Sequence, residues 1–295
     1  MEDKRREYIE YLKKEKKMAP NSCEAYGRDV AEFIAFAQGR RITRVEDVTN
    51  TDVVAYLHYL KQAGRSASTV NRKVASIRGF FRYLISKGVM SEDPTDRIKS
   101  PKIERKKVEY LSIREIDQLL ACPDDSNKGI RDRAILEVLY ATGIRVSELI
   151  ALDIEDINLR MGFVTCDSSS SKARIVPLGR PARAAIENYV YDVRDKMVTG
   201  GRKEKALFVN MSGQRITRQG LWKILRDYGK QAGIEHRLTP HTLRNSFAVH
   251  MLQNGADLKS LQELMGHDDI TATQVYLSAT KSRIKDVYDK THPRA

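Results

Sequence analysis

Five apolar residues between positions 70 and 84 are separated by alternating intervals of four and three residues. This spacing places them on one face of an α-helix, and such a face must pack against another element. The five residues are Val70, Val74, Ile77, Phe81 and Leu84. Three further apolar stripes precede them, beginning near Tyr8, after Pro20 and after residues 49–52, whose polar side chains can cap a helix. Residues 1–90 therefore predict a four-helix domain.

The pattern changes after residue 90. Residues 91–107 contain two prolines and end in a dense charge cluster, which predicts an extended linker. Beyond it, two strand signals flank a serine-rich turn and predict a β-hairpin. These strand signals are Phe163–Cys166 and Arg174–Leu178, and the apolar run Ala206–Val209 predicts a further short strand. The remaining patterns are helical, so residues 108–295 predict a second domain, and the chain is expected to be mainly α with a small β-sheet.

Charge indicates a polyanionic partner. Lysine and arginine number 52 and aspartate and glutamate 39, which gives a net charge of +13. Residues 53–91 contain no acidic residue, and the cations there predict a surface that faces DNA phosphates. The candidate DNA-binding residues are Arg65, Arg72, Lys73, Arg78 and Arg82. Charge alone leaves open the alternative of a basic protein without a nucleic-acid partner.

Several classes of protein are disfavoured by composition. The three cysteines are far apart and odd in number, which predicts neither a disulfide framework nor a metal site and suits a reducing cytoplasm. No apolar run approaches the roughly 18 residues that cross a bilayer, and the charged N-terminus lacks the apolar core of a signal peptide. A phosphate-cradling loop and a carboxylate cluster for Mg²⁺ are also missing from the sequence, so we expect no cofactor and no metal.

Two arginines stand at predicted helix starts. Arg145 follows the break at Gly143, and a guanidinium at a helix N-terminus suits a phosphate. His241 and Arg244 are three residues apart after Pro240, so they share one helix face that could clamp a phosphate. In isolation, a surface arginine and a solvated helix face are the alternatives.

Two further residues follow in the last part of the chain. His267 comes directly after Gly266, which marks a helix end, and Tyr276 stands nine residues beyond His267. Taken alone, such a histidine is usually structural and such a tyrosine usually packs in the core or on the surface. The order of these residues along the chain carries more information than any of them singly.

That order, together with its flanking residues, resembles the tyrosine recombinase (lambda integrase-like) family. Residues 141–149, ATGIRVSEL, resemble the first arginine box, and residues 240–248, PHTLRNSFA, resemble the second. Residues 264–267 and 273–276 resemble the last histidine box and the nucleophile segment. Residues 254–258 and the terminal HPRA are similar to the bacterial Xer subgroup, and the resemblance covers nearly the whole chain.

The resemblance implies a fold and a reaction. The fold would be an N-terminal four-helix core-binding (SAM-like) domain followed by a C-terminal α+β tyrosine recombinase catalytic domain. Arg145 and Arg244 would bind the non-bridging oxygens of the scissile phosphate, and His241 and His267 would hydrogen-bond to it. Tyr276 would attack phosphorus to give a 3′-phosphotyrosine and a free 5′-hydroxyl, while Glu148 would orient its neighbours. Neither metal nor ATP would be required.

The sequence departs from the family pattern on the predicted hairpin. The family carries a catalytic lysine there, but a gap-free alignment on Arg174 puts Ser169 at that position. Lys172 matches a second, less essential lysine, and we expect a flexible turn to bring it to the leaving oxygen. The alternative is a lysine that only contacts the DNA backbone. A second departure is Asn245, where many relatives carry histidine, and we expect little consequence from it.

The resemblance also implies partners. The chain would bind a double-stranded recombination site as a homo- or hetero-tetramer with a related recombinase, with no membrane partner. Ile284, Val287 and Tyr288 have helical spacing compatible with docking on a neighbouring protomer; folding back on the same domain is the alternative. The competing functions are a DNA-binding homologue with weak or no catalysis and a type IB topoisomerase-like activity. Chromosome dimer resolution and mobile-element recombination remain equally compatible with the sequence.

Overall fold

The computed structural model describes residues 1–99, 107–168, 171–198 and 204–279. Its chain divides into two compact units, Met1–Arg105 and Lys106–Ala295. Residues 91–99 of the predicted linker form turns and irregular backbone. The predicted docking residues Ile284, Val287 and Tyr288 lie outside the described residues. Within the described ranges, no helix has the length and apolar character needed to cross a bilayer.

Over its described residues, 1–99, unit 1 contains four α-helices around one apolar core. They are α1 (Glu2–Lys14), α2 (Pro20–Gly39), α3 (Asn50–Gln62) and α4 (Ala67–Ser86). All five residues of the α4 stripe are buried, which confirms the helix predicted from their spacing. Phe33 of α2 packs against both α3 and α4. Its ring contacts Phe81 of α4 edge-on, with 5.8 Å between ring centroids, and Tyr56 of α3 with 5.3 Å between centroids.

Polar side chains fix where α3 and α4 begin. The Thr49 backbone N–H donates to Asp52 Oδ2 at 3.0 Å in a capping box, and Ser66 Oγ accepts from the Thr69 N–H at 3.2 Å. Each cap satisfies an N–H group that a helix start would otherwise leave unpaired, a stabilisation of about 1 kcal/mol.

Unit 2 surrounds a central helix, α6, with shorter helices and one small sheet. Its helices are α5 (Ile113–Ala121), α6 (Asn127–Thr142), α7 (Val146–Ala151), α8 (Arg180–Asn188), α9 (Asp195–Met197), α10 (Arg218–Gln231), α11 (Pro240–Gln253), α12 (Leu258–Met265) and α13 (Thr271–Gln274). A π-helical turn, Tyr189–Arg194, joins α8 to α9, and 3-10 turns form at Ile154–Asp156 and Val275–Ala279. The 3-10 turn Val45–Asp47 belongs to unit 1. Helices α6 and α11 pack together and are buried along most of their lengths, so they form a stable base for the residues at their ends.

The sheet has three antiparallel strands in the order β1-β2-β3, with bounds Ile157–Asn158, Phe163–Ser168 and Ser171–Pro177. Val164 pairs with Val176 on the buried face, whereas Ile175 is exposed on the other face. The hairpin predicted from the alternating pattern is present as β2 and β3. Strand β1 has only two residues, too few for a periodic signal.

The prediction of a strand at Ala206–Val209 is wrong. Ala206 and Val209 form only isolated bridges, to Asp153 and Arg215. Most carbonyl oxygens of this segment accept hydrogen bonds from buried arginine side chains instead of from a neighbouring strand. Arg194 donates to the Ala206 carbonyl oxygen at 2.6 Å, and Arg131 donates to that of Val209 at 3.2 Å. The run is apolar because it is buried, not because it belongs to a ladder.

Candidate active site

One cavity of about 970 Å³ in unit 2 collects the chemistry-bearing residues predicted from the separate motifs. Among the residues that line it are Arg145, His241, Arg244, Asn245, His267 and Tyr276. They come from the start of α7, from α11, from the segment after α12 and from the 3-10 turn after α13. The structure therefore brings together residues that lie up to 131 positions apart in the chain.

Arg145 is fixed at the start of α7. It occupies the N-cap position, because the helix begins at Val146. Its backbone N–H donates to Glu148 Oε2 at 2.6 Å, and its Nη1 donates to Glu148 Oε1 at 3.1 Å. Its Nη2 donates to the Gly266 carbonyl oxygen at 2.6 Å. These bonds fix the direction of the guanidinium in the cavity.

Glu148 connects Arg145 to the β-hairpin. The side chain of Arg174 on β3 donates through Nη1 and Nη2 to the two carboxylate oxygens of Glu148, at 2.7 and 3.0 Å. Arg174 Nε donates to the Leu264 carbonyl oxygen at 2.8 Å, which also ties the hairpin to α12. Burial opposes ionisation of Glu148, but the bonds from Arg174 and the Arg145 backbone outweigh it and lower its pKa to about 2. The carboxylate is therefore ionised near neutral pH.

Arg244 is buried on α11 and held by backbone carbonyls. Its Nη1 donates to the Gly143 carbonyl oxygen, and its Nη2 donates to that of Met265 at 2.7 Å. Burial, with a further contribution from the charge of Arg145, lowers the pKa of Arg244 to about 10. It remains a cation near neutral pH. An anion in the cavity can therefore contact the guanidiniums of both Arg145 and Arg244.

His267 is neutral, and its tautomer follows from its partners. Arg244 Nη2 lies 3.0 Å from His267 Nε2, and because a guanidinium only donates, Nε2 must accept. The ring hydrogen is then on Nδ1, which donates to Thr273 Oγ1 at 2.8 Å. Burial and the nearby charges of Arg244 and Arg145 lower the pKa of His267 to about 4. Sequence reasoning missed Thr273, because a buried threonine carries no motif signal.

Tyr276 is buried with its hydroxyl bonded inside the cavity wall. The side chain is 4% exposed, and its hydroxyl donates to Asn245 Oδ1 at 3.2 Å. Burial raises the pKa of the Tyr276 hydroxyl, while the charges of Arg244 and Arg145 oppose that rise. Asn245, from which the sequence predicted little consequence, is therefore the direct partner of the candidate nucleophile.

His241 and Lys172 complete the predicted set. His241 is exposed at the start of α11, one turn before Arg244, and Thr239 caps that helix by accepting from the Thr242 N–H at 2.9 Å. Lys172 belongs to β3 by its backbone, but its side chain and the whole of Ser169 lie outside the described residues. Sequence reasoning also passed over Trp222, a 45% exposed aromatic residue that lines the same cavity.

The candidate DNA-binding residues of unit 1 differ in their surroundings. Arg65 is exposed, and the Arg82 side chain is 71% exposed. Arg72 is paired with the Asp29 carboxylate, and Arg78 donates to the Ile98 carbonyl oxygen at 2.9 Å. These four retain at least partial access to solvent.

The prediction that Lys73 faces phosphate is wrong. Its side chain is buried, and its Nζ lies 3.2 Å from Asp29 Oδ1 and 2.7 Å from Glu32 Oε2. Both acids belong to α2, so a count of charges within residues 53–91 could not reveal them. The ammonium neutralises carboxylates within unit 1 and is not available to DNA.

Comparisons with known proteins agree with this arrangement. The phage integrase family model matches residues 109–283, and the model of the phage integrase N-terminal SAM-like domain matches residues 6–88. The tyrosine recombinase XerD of Oceanobacillus iheyensis is 44% identical over 290 residues, 98% of each chain. The XerD of Listeria monocytogenes is 42% identical over 297 residues, which cover 100% of each chain. The structure of the Tn1549 transposon integrase in complex with transposon right end DNA matches with a TM-score of 0.75 at 18% identity, covering 96% of this chain and 99% of that one.

Proposed function

The chain belongs to the phage integrase family as an Xer-like tyrosine recombinase, and from this we propose that Tyr276 is its DNA-cleaving nucleophile. The observation that carries the proposal is that all five side chains assigned to the phosphate and the attack line a single cavity, namely those of Arg145, Arg244, His241, His267 and Tyr276. A phosphodiester resists attack because its negative charge repels nucleophiles. Arg145 and Arg244 would neutralise that charge and bind the non-bridging oxygens through the pentacoordinate transition state.

The imidazoles hold and orient the phosphate in this proposal. His241 is exposed at the N-terminal end of α11, where the helix dipole adds to the positive potential. His267 is neutral and donates from Nδ1 to Thr273, so its Nε2 accepts from Arg244. To donate to a phosphate oxygen instead, His267 must change its tautomer or take up a proton. Arg244 would then lose its hydrogen bond to His267 and donate to the phosphate instead.

The covalent step conserves the energy of the phosphodiester. The Tyr276 oxygen forms a bond to phosphorus as its proton leaves, and the bond from phosphorus to the 5′ oxygen breaks. The product is a 3′-phosphotyrosine. The 5′ oxygen takes up a proton from a general acid, for which we propose Lys172, and His241 assists departure of the proton from the Tyr276 phenol. Attack by a 5′-hydroxyl on the phosphotyrosine reverses the sequence and rejoins the strand.

Unit 1 would supply sequence-independent contacts to the DNA backbone. The exposed guanidiniums of Arg65 and Arg82 are the best placed, and Arg72 and Arg78 contribute where their internal bonds allow. We also propose that the recombinase acts as a tetramer on its DNA site, in the cytoplasm, in chromosome dimer resolution or mobile-element recombination. The structural relatives support DNA binding of this kind, since the Tn1549 integrase was solved with transposon DNA.

Covalent capture tests the proposed nucleophile. DNA trapped on the protein in its host by SDS would be sequenced to find the site, and a duplex of that sequence nicked beside the cleavage point would serve as suicide substrate. We expect an SDS-resistant protein–DNA adduct that is absent with Tyr276→Phe. Tyr191→Phe is the matched control, because Tyr191 is 72% exposed in the same unit. DNA binding without any adduct would favour the non-catalytic homologue, and relaxation of arbitrary supercoiled DNA would favour the topoisomerase.

A second substrate tests Lys172. A 5′-bridging phosphorothiolate has a sulfur leaving group that needs no proton, so a missing general acid does not slow its cleavage. We expect Lys172→Ala to slow cleavage of the ordinary phosphate at least tenfold more than that of the phosphorothiolate. Equal slowing of both substrates would remove Lys172 from the general-acid role.

A further inference from the structure

Residues 109–111, near the start of unit 2, are hydrogen-bonded to side chains of Arg237 and of helix α11. Asn245 Nδ2 donates to the Glu109 carbonyl oxygen at 2.9 Å, and Arg237 Nη2 donates to that of Tyr110 at 2.8 Å. The Leu111 N–H donates to Ser246 Oγ at 2.8 Å. Each residue of the 109–111 segment therefore has a backbone group that is hydrogen-bonded to a side chain elsewhere in unit 2. One of these side chains, that of Asn245, also contacts Tyr276.

These contacts fix the orientation of the Asn245 amide. A carbonyl oxygen accepts hydrogen bonds and cannot donate, so the amide nitrogen must face Glu109 and the amide oxygen must face Tyr276. The phenol is consequently the donor in its bond to Asn245. An amide oxygen cannot take up the phenol proton under ordinary conditions, so this partner is an acceptor but not a base.

We propose that Asn245 is a positioning residue whose Oδ1 holds Tyr276 as a neutral phenol, so that the hydroxyl must leave this acceptor before it attacks phosphorus. This rests on the proposed role of Tyr276 as nucleophile. A phenolate at the same place would face the negative end of the amide dipole. Turning the amide would offer the phenolate an N–H group but would set Oδ1 against the Glu109 carbonyl oxygen and break the bond to the 109–111 segment. Ionisation of Tyr276 and attachment of that segment are therefore opposed to one another.

Other titratable groups line the same cavity as the phenol. The guanidiniums of Arg145 and Arg244 favour the phenolate, and burial favours the phenol. Three imidazoles and one carboxylate also line the cavity, those of His236, His241, His267 and Glu109. Lys107, Arg218 and Arg237 add further positive charge. Because all of these are common to the variants below, a difference between variants reports on the residue at position 245.

Titration of the phenol by fluorine NMR tests the proposal without DNA. The protein would carry 3-fluorotyrosine at its 13 tyrosines, with the Tyr276 resonance identified by its loss in Tyr276→Phe. Asn245→Leu keeps the side-chain size but removes the acceptor, so the neutral phenol loses its partner and the titration midpoint of Tyr276 should fall. Asn245→Asp substitutes a stronger, charged acceptor, so the midpoint should rise.

Asn254→Leu is the matched control for the titration. Asn254 caps the other end of α11, and its Nδ2 donates to the His250 carbonyl oxygen at 2.9 Å. We expect no change in the Tyr276 midpoint in this variant. An unchanged or raised midpoint in Asn245→Leu would overturn the proposal, because it would mean that the amide is a donor to the phenol or only a packing residue. If Asn245→Leu does not fold, a midpoint that is unchanged or lowered in Asn245→Asp overturns it equally.

Cleavage provides a second readout that separates this inference from the proposed function. The pH midpoint of single-turnover cleavage on the nicked duplex should move in the same direction as the NMR midpoint in each variant. Expected titration shifts in the two Asn245 variants, together with no covalent adduct from wild-type protein, would contradict the nucleophile assignment and leave the amide contact established. Adduct formation with titration midpoints that do not respond to position 245 would contradict the positioning role alone.

Discussion

At the scale of single residues, Glu148 organises the largest share of the active-site geometry. Its carboxylate accepts from Arg145 and from both terminal nitrogens of Arg174, and it is buried. A buried carboxylate is stabilising only while it is ionised and fully paired, and losing one partner leaves an uncompensated charge. The role predicted for Glu148 from its motif, orienting its neighbours, is consistent with these contacts.

Removal of this charge should cost stability in a pH-dependent way. The pKa of Glu148 is lowered from 4.5 to about 2, so its contribution is present above pH 4.5 and is lost as the pH falls toward 2. The shift corresponds to about 3 kcal/mol near neutral pH. We expect Glu148→Gln to lower the free energy of unfolding by this order in urea titrations at pH 7, with a difference from wild type that shrinks in acid.

The same substitution at an exposed pair provides the control. Glu187 pairs with Arg183 on α8 at 2.9 Å, where both side chains are partly exposed. Glu187→Gln should change the free energy of unfolding by less than about 0.5 kcal/mol. Cleavage of the nicked duplex should fall at least tenfold in Glu148→Gln only. Equal losses in the two variants would show that Glu148 does not organise the site.

At the scale of elements, the break between α6 and α7 determines where Arg145 points. Gly143 ends α6 with a φ of 57°, a conformation that suits glycine. A Cβ placed on Gly143 would lie 2.3 Å from Phe247 Cδ1 on α11. The glycine therefore allows the α6–α7 connection to approach α11 closely enough for Arg244 to bind the Gly143 carbonyl oxygen.

A pair of glycine substitutions separates close packing from backbone strain. Gly143→Ala combines a positive φ with the clash against Phe247, and we expect it to lower the free energy of unfolding by more than about 2 kcal/mol and to slow cleavage. Gly233 has a φ of 69°, but no described atom beyond its chain neighbours lies within 4 Å of the place that an alanine methyl group would occupy there. Gly233→Ala should cost only about 1 kcal/mol and leave cleavage unchanged. Equal destabilisation in thermal melts would contradict the packing argument.

The elements differ in how well the sequence predicted them. The spacing of apolar residues in α4 and the alternation in β2 and β3 were sufficient to predict these elements, because each is regular over several repeats. Ala206–Val209 was misassigned, because burial alone made it apolar. Three of its carbonyl oxygens accept hydrogen bonds from arginine side chains, which a sequence pattern does not reveal. The contact between Tyr276 and Asn245 carried no local signal, since it joins side chains 31 residues apart.

At the scale of the whole molecule, the positive charge is divided between two uses. Lys73 and Arg72 illustrate one, since they neutralise the buried Asp29 within unit 1. Exposed cations such as Arg65 and Arg82 illustrate the other. The sequence predicted a basic surface as a property of the segment, and its individual members could be sorted only when the acids of α2 were brought beside α4.

Salt dependence distinguishes the two uses. We expect Arg82→Ala to weaken DNA binding, because one phosphate contact is lost. The negative slope of log affinity against log salt concentration should become shallower by about 1. Lys73→Met should lower the stability of unit 1 while leaving the slope unchanged in the folded protein. Lys4→Ala is the control, since Lys4 pairs with Glu7 on α1, and its slope should match wild type. A steeper slope in Arg82→Ala would contradict the phosphate contact.

The way Arg244 is held has a consequence for the electric field of the cavity. Its nitrogens bond to the carbonyl oxygens of Gly143 and Met265, at the C-terminal ends of α6 and α12, and to the neutral ring of His267. Uncharged dipoles thus aim the guanidinium without a formal counter-ion in these three bonds. An arriving phosphate would meet a cation set in place by main-chain atoms that no side-chain substitution at those two positions removes.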